Sequence, residues 1–204
     1  MKVCFVTDRK LSAGRDIFAV VSDAVASGMD MIQVREKDLS GKALLEFARR
    51  VVEISKGTRC EVFVNGRFDV ALAAGASGVH LGYDSIPPEA VRKVVGEKLK
   101  IGISIHTLEE AGHAHSSGAD LAIMGPVFRT PSKEGILEPL GVGRLREAAA
   151  LCRIPLYAIG GIDGESIGLL AGCGAEGVAM IRAIMEASSM KELKELIERI
   201  RKIK

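Results

Sequence analysis

Short apolar runs of three to five residues recur along the chain, separated by stretches whose apolar positions repeat every three or four residues. The runs at 3–7, 31–35, 61–65, 79–81, 101–105, 121–125, 155–159 and 178–181 are rich in Val, Ile and Leu and read as β-strands. Segments between them, such as 41–55, 108–117 and 144–152, read as helices. A last amphipathic stretch, 190–203, sets Leu193, Leu196, Ile197 and Ile200 on one face. Eight strands, each followed by a helix, predict the α/β class: a single (β/α)8 TIM barrel over residues 1–204. An open doubly wound sheet usually has fewer strands and an early glycine-rich phosphate loop, whereas the glycine-rich turns here come late. The pattern Gly-Ala-x-Gly-Val occurs at 75–79 and again at 174–178, and reads as two similar helix-to-strand turns.

Composition narrows the partners. A 204-residue chain with 48% hydrophobic residues has ample material for one core. Its formal net charge of +2, without a long basic or acidic block, points away from nucleic acid and from anionic membranes. No run reaches the roughly 18 apolar residues that span a bilayer. The first apolar stretch ends at Asp8-Arg9-Lys10 rather than continuing as a secretory signal, so a cytoplasmic protein is expected. Cys4, Cys60, Cys152 and Cys173 have irregular spacing without CxxC and read as free thiols in or beside apolar runs. The chain has one Asn, Asn65, and one Gln, Gln33, with abundant Lys, Arg and Glu, a thermophile-like balance.

Strand parity locates candidate chemistry, because side chains alternate between the helix layer and the barrel interior and active sites gather at the C-terminal ends of the strands. If Ile32 and Val34 face the helices, Gln33 and Arg35 face inward and Lys37 follows in the same parity. Asn65 ends the third strand inward, and Gly102, Ser104 and His106 face inward from the fifth. His80 also has inward parity, as a second proton donor or as a hydrogen-bonded core residue. Thr130, Ser132 and Lys133, in the loop after the sixth strand, offer two hydroxyls and a cation to a phosphate or diphosphate. Gly160 and Gly161 after the seventh strand, with Ile181 and Arg182 ending the eighth, occupy a frequent phosphate position of barrels. Arg182 is placed inward together with Val178 and Met180, or else at the rim in a salt bridge.

Gln33-Val34-Arg35-Glu36-Lys37, Val64-Asn65-Gly66-Arg67, Gly78-Val79-His80-Leu81-Gly82, Ser104-Ile105-His106, Gly125-Pro126-Val127-Phe128 with Thr130 and Lys133, and Ala158-Ile159-Gly160-Gly161-Ile162 together resemble the thiamine phosphate synthase/thiazole tautomerase superfamily. The resemblance runs in order along the barrel and implies a thiazole phosphate as the small-molecule ligand. For the synthase branch it implies joining of a hydroxymethylpyrimidine diphosphate to a thiazole phosphate, with Mg²⁺ bridging the diphosphate. Metal-binding Asp residues are then implied directly after Asn65 and directly before Ile86. This chain has Gly66 and Ser85 there, with Asp84 adjacent. Asn65-Gly66-Arg67 resembles the tautomerase branch instead, in which His106 is implied as the proton carrier. The expectation is therefore a thiazole tautomerase, an isomerase needing no metal and no cofactor. Arg35, Lys37, Asn65 and Ser104 would hold the ring carboxylate and polar edge, and Gly161 and the region of Arg182 the phosphate. The alternatives are a Mg²⁺-dependent thiamine phosphate synthase, with Asp84 standing in for the absent ligands, and a non-catalytic thiazole phosphate-binding or regulatory protein. A homodimer is compatible with the sequence.

Overall fold

The computed structural model describes residues 1–131, 135 and 138–203. Eight parallel strands close in sequence order into one barrel. They are β1 (Lys2–Val6), β2 (Met31–Val34), β3 (Glu61–Asn65), β4 (Gly78–Leu81), β5 (Lys100–Ile105), β6 (Leu121–Met124), β7 (Leu156–Ile159) and β8 (Gly177–Met180). Closure is made where Val3 pairs with Val178 and Phe5 with Met180. The connecting helices are α1 (Ile17–Ala26), α2 (Gly41–Ser55), α3 (Phe68–Ala74), α4 (Pro88–Val95), α5 (Leu108–His113) and α6 (Gly141–Leu151), with α7 (Arg182–Met185) and α8 (Met190–Lys202) ending the chain. Among the described residues, no helix is long and apolar enough to cross a membrane.

Local sequence explains where the helices start and stop. Asp16, Ser40 and Ser189 each accept a backbone N–H of the first turn they precede, satisfying a donor that the helix itself cannot. Thr107 and Glu110 form a reciprocal capping box at α5. That helix is shorter than the 108–117 its sequence predicts. Ser116 and Ser117 turn their hydroxyls back onto the carbonyls of His113 and Ala114, and Gly118 follows with a positive φ. The connection after β7 also departs from the eight-helix expectation: it is a 3₁₀ turn, Ser166–Leu170, which Asp163 and Ser166 close through mutual hydrogen bonds.

Two apolar layers follow from strand parity. Outward residues such as Ile32, Val34, Val62, Val64 and Ile101 pack under the helices, where Leu193, Ile197 and Ile200 of α8 also bury their face. Inward residues Cys4, Val6, Met31, Phe63, Leu121, Ile123, Tyr157 and Ala179 form a separate cluster inside the barrel. All four cysteines are free; Cys152 is half-buried and the other three are buried, with burial pushing the Cys60 thiol up to about 12.

The repeated Gly-Ala-x-Gly-Val motif has one job in both places. Its first glycine, Gly75 or Gly174, takes a positive φ at the turn into the strand. Its second faces the interior beside an aromatic ring of the preceding strand. Gly78 pairs with Phe63 and Gly177 with Tyr157. A Cβ on either glycine would lie 2.4 Å from that ring. Two large rings, four strands apart, thus fill the barrel because their neighbours have no side chain.

Overpacking a filled interior costs about 1–3 kcal/mol. Gly78→Ala and Gly177→Ala should each lose about that much in urea unfolding. Gly112→Ala, in α5 where a Cβ meets nothing within 4 Å, should be neutral or slightly stabilising. Equal stability of all three variants would show that the glycine–aromatic contact does not limit the fold.

Candidate active site

The C-terminal ends of β2, β3 and β5 converge on one rim. Adjacent registers bring Val34 beside Val64, Asn65 beside His80 and His80 beside Gly102. The inward residues between them, Gln33, Arg35, Asn65, Ser104 and His106, therefore gather at the mouth. Gln33 is buried at 4% exposure, whereas Arg35, Asn65, Ser104 and His106 are half-buried and Lys37, beyond the strand, is exposed. Thr7 fixes this edge by accepting the Arg35 backbone N–H at 3.0 Å. Thr130 is half-buried after β6; Ser132 and Lys133 lie outside the described residues.

Both inward histidines have defined partners. His106 Nδ1 lies 2.7 Å from the Gly125 carbonyl oxygen. A carbonyl only accepts, so Nδ1 carries a proton, and in the neutral ring it is Nε2 that has the lone pair. The His106 backbone N–H donates to Glu110, which ties the ring to the start of α5. His80 is buried, with Nε2 2.9 Å from Ser104 Oγ. Burial first, and then the charge of Arg35, bring its pKa down to about 3, so the imidazole is neutral.

The loops after β6 and β7 pack backbone against backbone. Val127 and Phe128 donate their N–H groups to the carbonyls of Ile159 and Gly160, both at 2.9 Å. Gly160 and Gly161 both have positive φ, and a Cβ there would lie 2.6 Å from Pro126 or 2.5 Å from the Arg129 carbonyl. This packing alone requires both glycines. Ile181 packs against the interior cluster and precedes α7. Arg182 corrects its inward placement. Val178 and Met180 belong to the outer layer, while Ala179 faces in, because Gly177 must face in beside Tyr157. Arg182 instead pairs with Glu186 on the surface at 3.0 Å.

A buried carboxylate escaped the parity reading. Glu36, with its side chain 2% exposed, accepts the Arg9 backbone N–H and pairs with the Arg9 guanidinium at 3.2 Å. The same guanidinium grips Asp38, whose carboxyl is held well below the usual range by that hydrogen bond. This clamp joins the loops after β1 and β2 and sets Arg35 and Lys37, on either side of Glu36, at the mouth. The signal was in the sequence: Glu36 shares the outward parity of Ile32 and Val34, where a charge must find a partner.

Mg²⁺ seeks oxygen donors, commonly carboxylates, at near-octahedral positions. Gly66 offers no side chain, and Ser85 Oγ is taken by the Gly82 backbone N–H at 2.9 Å. Asp84 is exposed beside it. Among the described residues, no group of three His, Cys, Asp or Glu side chains could hold a metal ion. The residues present do not fit a protein-held Mg²⁺ at this position.

The neutral state of His80 has a consequence for stability. The unfolded chain takes up a proton near pH 6.5 that the folded chain refuses until about pH 3. Its contribution is complete above pH 6.5 and is lost as pH falls toward 3. Between pH 6 and 4 the wild type should lose up to about 1.4 kcal/mol per pH unit more than His80→Gln, measured by urea unfolding at each pH. Parallel pH profiles would show that folded His80 accepts the proton.

Comparison with known proteins agrees with this architecture. The family model described as thiamine monophosphate synthase matches residues 3–184. A protein of Shouchella clausii named thiamine-phosphate synthase is 40% identical over 186 residues, covering 91% of this chain and 89% of its own. One of the same name from Clostridium novyi is 38% identical over 185 residues, 91% of each chain. The solved structure of a thiamine phosphate pyrophosphorylase from Pyrococcus furiosus superposes with a TM-score of 0.86 at 32% identity, over 99% of this chain and 94% of that one. These relatives overturn the expectation of a tautomerase, and with it the isomerase class. That expectation rested on Gly66 and Ser85, two local substitutions, whereas the identity to proteins named as synthases extends over nearly the whole barrel. The chain belongs to the thiamine monophosphate synthase family.

Proposed function

We propose that this protein is a thiamine phosphate synthase, joining a hydroxymethylpyrimidine diphosphate to a thiazole phosphate. The observation that carries this reading is the 38–40% identity, over 91% of the chain, to proteins named for that activity. The chemistry of the mouth agrees with it. Joining breaks the bond from the pyrimidine methylene carbon to the diphosphate oxygen and forms one to the thiazole nitrogen. The electron pair leaves with the diphosphate, so charge grows on its oxygens. In this reading Arg35 and Lys37 meet that charge and Ser104 and Thr130 donate to it; Ser132 and Lys133, which follow Thr130 in the sequence, are proposed for the same anion. Gln33 and Asn65 offer amide donors and acceptors to a ring edge. His106 contributes the Nε2 lone pair as an acceptor, a binding role. The thiazole phosphate is assigned to the turn at Gly160 and Gly161 and to the backbone at Ile181. Arg182, committed to Glu186, is left outside this set.

The test is direct. Purified protein is incubated with both substrates, with and without added Mg²⁺, and thiamine phosphate is measured. Product that depends on both substrates supports the reading. No product in either condition would reject it, and thiazole phosphate binding without turnover would then mark a non-catalytic binder. Removing a charged donor to an anion costs about 1.5–3 kcal/mol. Arg35→Ala and Lys37→Ala should therefore each lower kcat/KM by about 10- to 100-fold while thermal unfolding stays near wild type. Unchanged kinetics in both would remove these side chains from the site.

A further inference from the structure

We propose that His80 is a positioning residue: its Nε2–H fixes the Ser104 hydroxyl as a hydrogen-bond donor to an oxyanion of the diphosphate at the mouth. The proposal rests on the reading above only for the identity of that anion. Its basis is an unusual feature of the buried imidazole. Nε2 has Ser104 Oγ at 2.9 Å, but Nδ1 is fully buried with no hydrogen-bond partner among the described residues. Nδ1 lies against Gly102, where an added Cβ would come within 2.8 Å of it.

That asymmetry selects the tautomer. Orphaned buried N–H groups are rarer than under-satisfied acceptors, so the single proton of neutral His80 belongs on Nε2. The doubly protonated ring would strand the added Nδ1–H and place a charge beside Arg35, consistent with the depressed pKa. Nε2–H must then donate to Ser104 Oγ. A serine hydroxyl has one proton and two lone pairs. With one lone pair taken from below, its proton is directed elsewhere, and accepting a hydrogen bond makes it a stronger donor. Among the described residues, Ser104 has no second protein acceptor, and it is half-buried with its open side at the mouth. Arg35, whose charge is felt by His80, faces the same space. A cation and an oriented O–H facing the same interior space suit an anionic oxygen.

The experiment measures binding of inorganic pyrophosphate without metal by calorimetry, so it reads the anion site whether or not the joining reaction occurs. His80→Phe removes the donor. His80→Gln restores one, because its amide nitrogen is as many bonds from Cα as Nε2. Ser104→Ala and His80→Phe should each weaken binding by about 10-fold, and the double variant no further than either. His80→Gln should stay within about 3-fold of wild type. Wild-type binding in His80→Phe, additive losses with Ser104→Ala, or no pyrophosphate binding by the wild type would each overturn the proposal. Should His80→Phe fail to fold, nitrogen NMR of the wild-type imidazole decides: a proton on Nε2 supports the wiring, and one on Nδ1 overturns it.

Discussion

A closed barrel must fill its own interior, and in this chain two aromatic rings do so. Phe63 and Tyr157 enter from strands four positions apart, each beside a glycine on the next strand. That pairing leaves no freedom in parity. Once Gly78 and Gly177 face inward, so must His80, Ala179 and Ile181, and every neighbouring residue on those strands faces the helices. The same constraint that packs the lower barrel therefore decides which side chains reach the upper rim, and it sends Arg182 to the surface.

Above the apolar layers the interior turns polar, and both inward histidines are held there by partners that fix their orientation. The Gly125 carbonyl holds the His106 proton on Nδ1, and Ser104 holds one ring nitrogen of His80. Gly102 extends the glycine rule upward, since a Cβ there would come within 2.8 Å of His80 Nδ1. Packing and hydrogen bonding are thus set by the same strand positions. The loops are disciplined by charge instead. Arg9, Glu36 and Asp38 lock the first two loops together, and Arg15 donates to the carbonyls of Met185 and Ala187, tying the loop after β1 to the segment following β8.

The local motif resembles a tautomerase, whereas the identity to relatives named as synthases spans nearly the whole barrel. Gly66 and Ser85 remove two carboxylates from positions where a metal-dependent synthase would be expected to have them. Gly66 has open space around it and Ser85 is engaged in holding its own turn. Neither is forced by packing against the core, which sets them apart from Gly78, Gly102 and Gly177. They are changes at the surface of the mouth, compatible with an otherwise intact barrel.

The sequence alone determined the strand count, the closed parallel class and the inward parity of β2, β3 and β5. Those strands alternate unambiguously, because each bears a β-branched outer face and ends in polar inner residues. It also marked Gln33, Arg35, Asn65, Ser104 and His106 as a converging set, since parity and strand ends are local properties. Strand β8 was misread for the opposite reason. Val178, Ala179 and Met180 are all apolar, and only the Tyr157 ring on the neighbouring strand shows which of them faces in. The roles of Glu36, of His80 toward Ser104, and of the repeated glycine motif likewise depended on tertiary structure. Each is defined by a contact between residues distant in sequence, and no local pattern records which partner a buried charge, imidazole or bare Cα will meet.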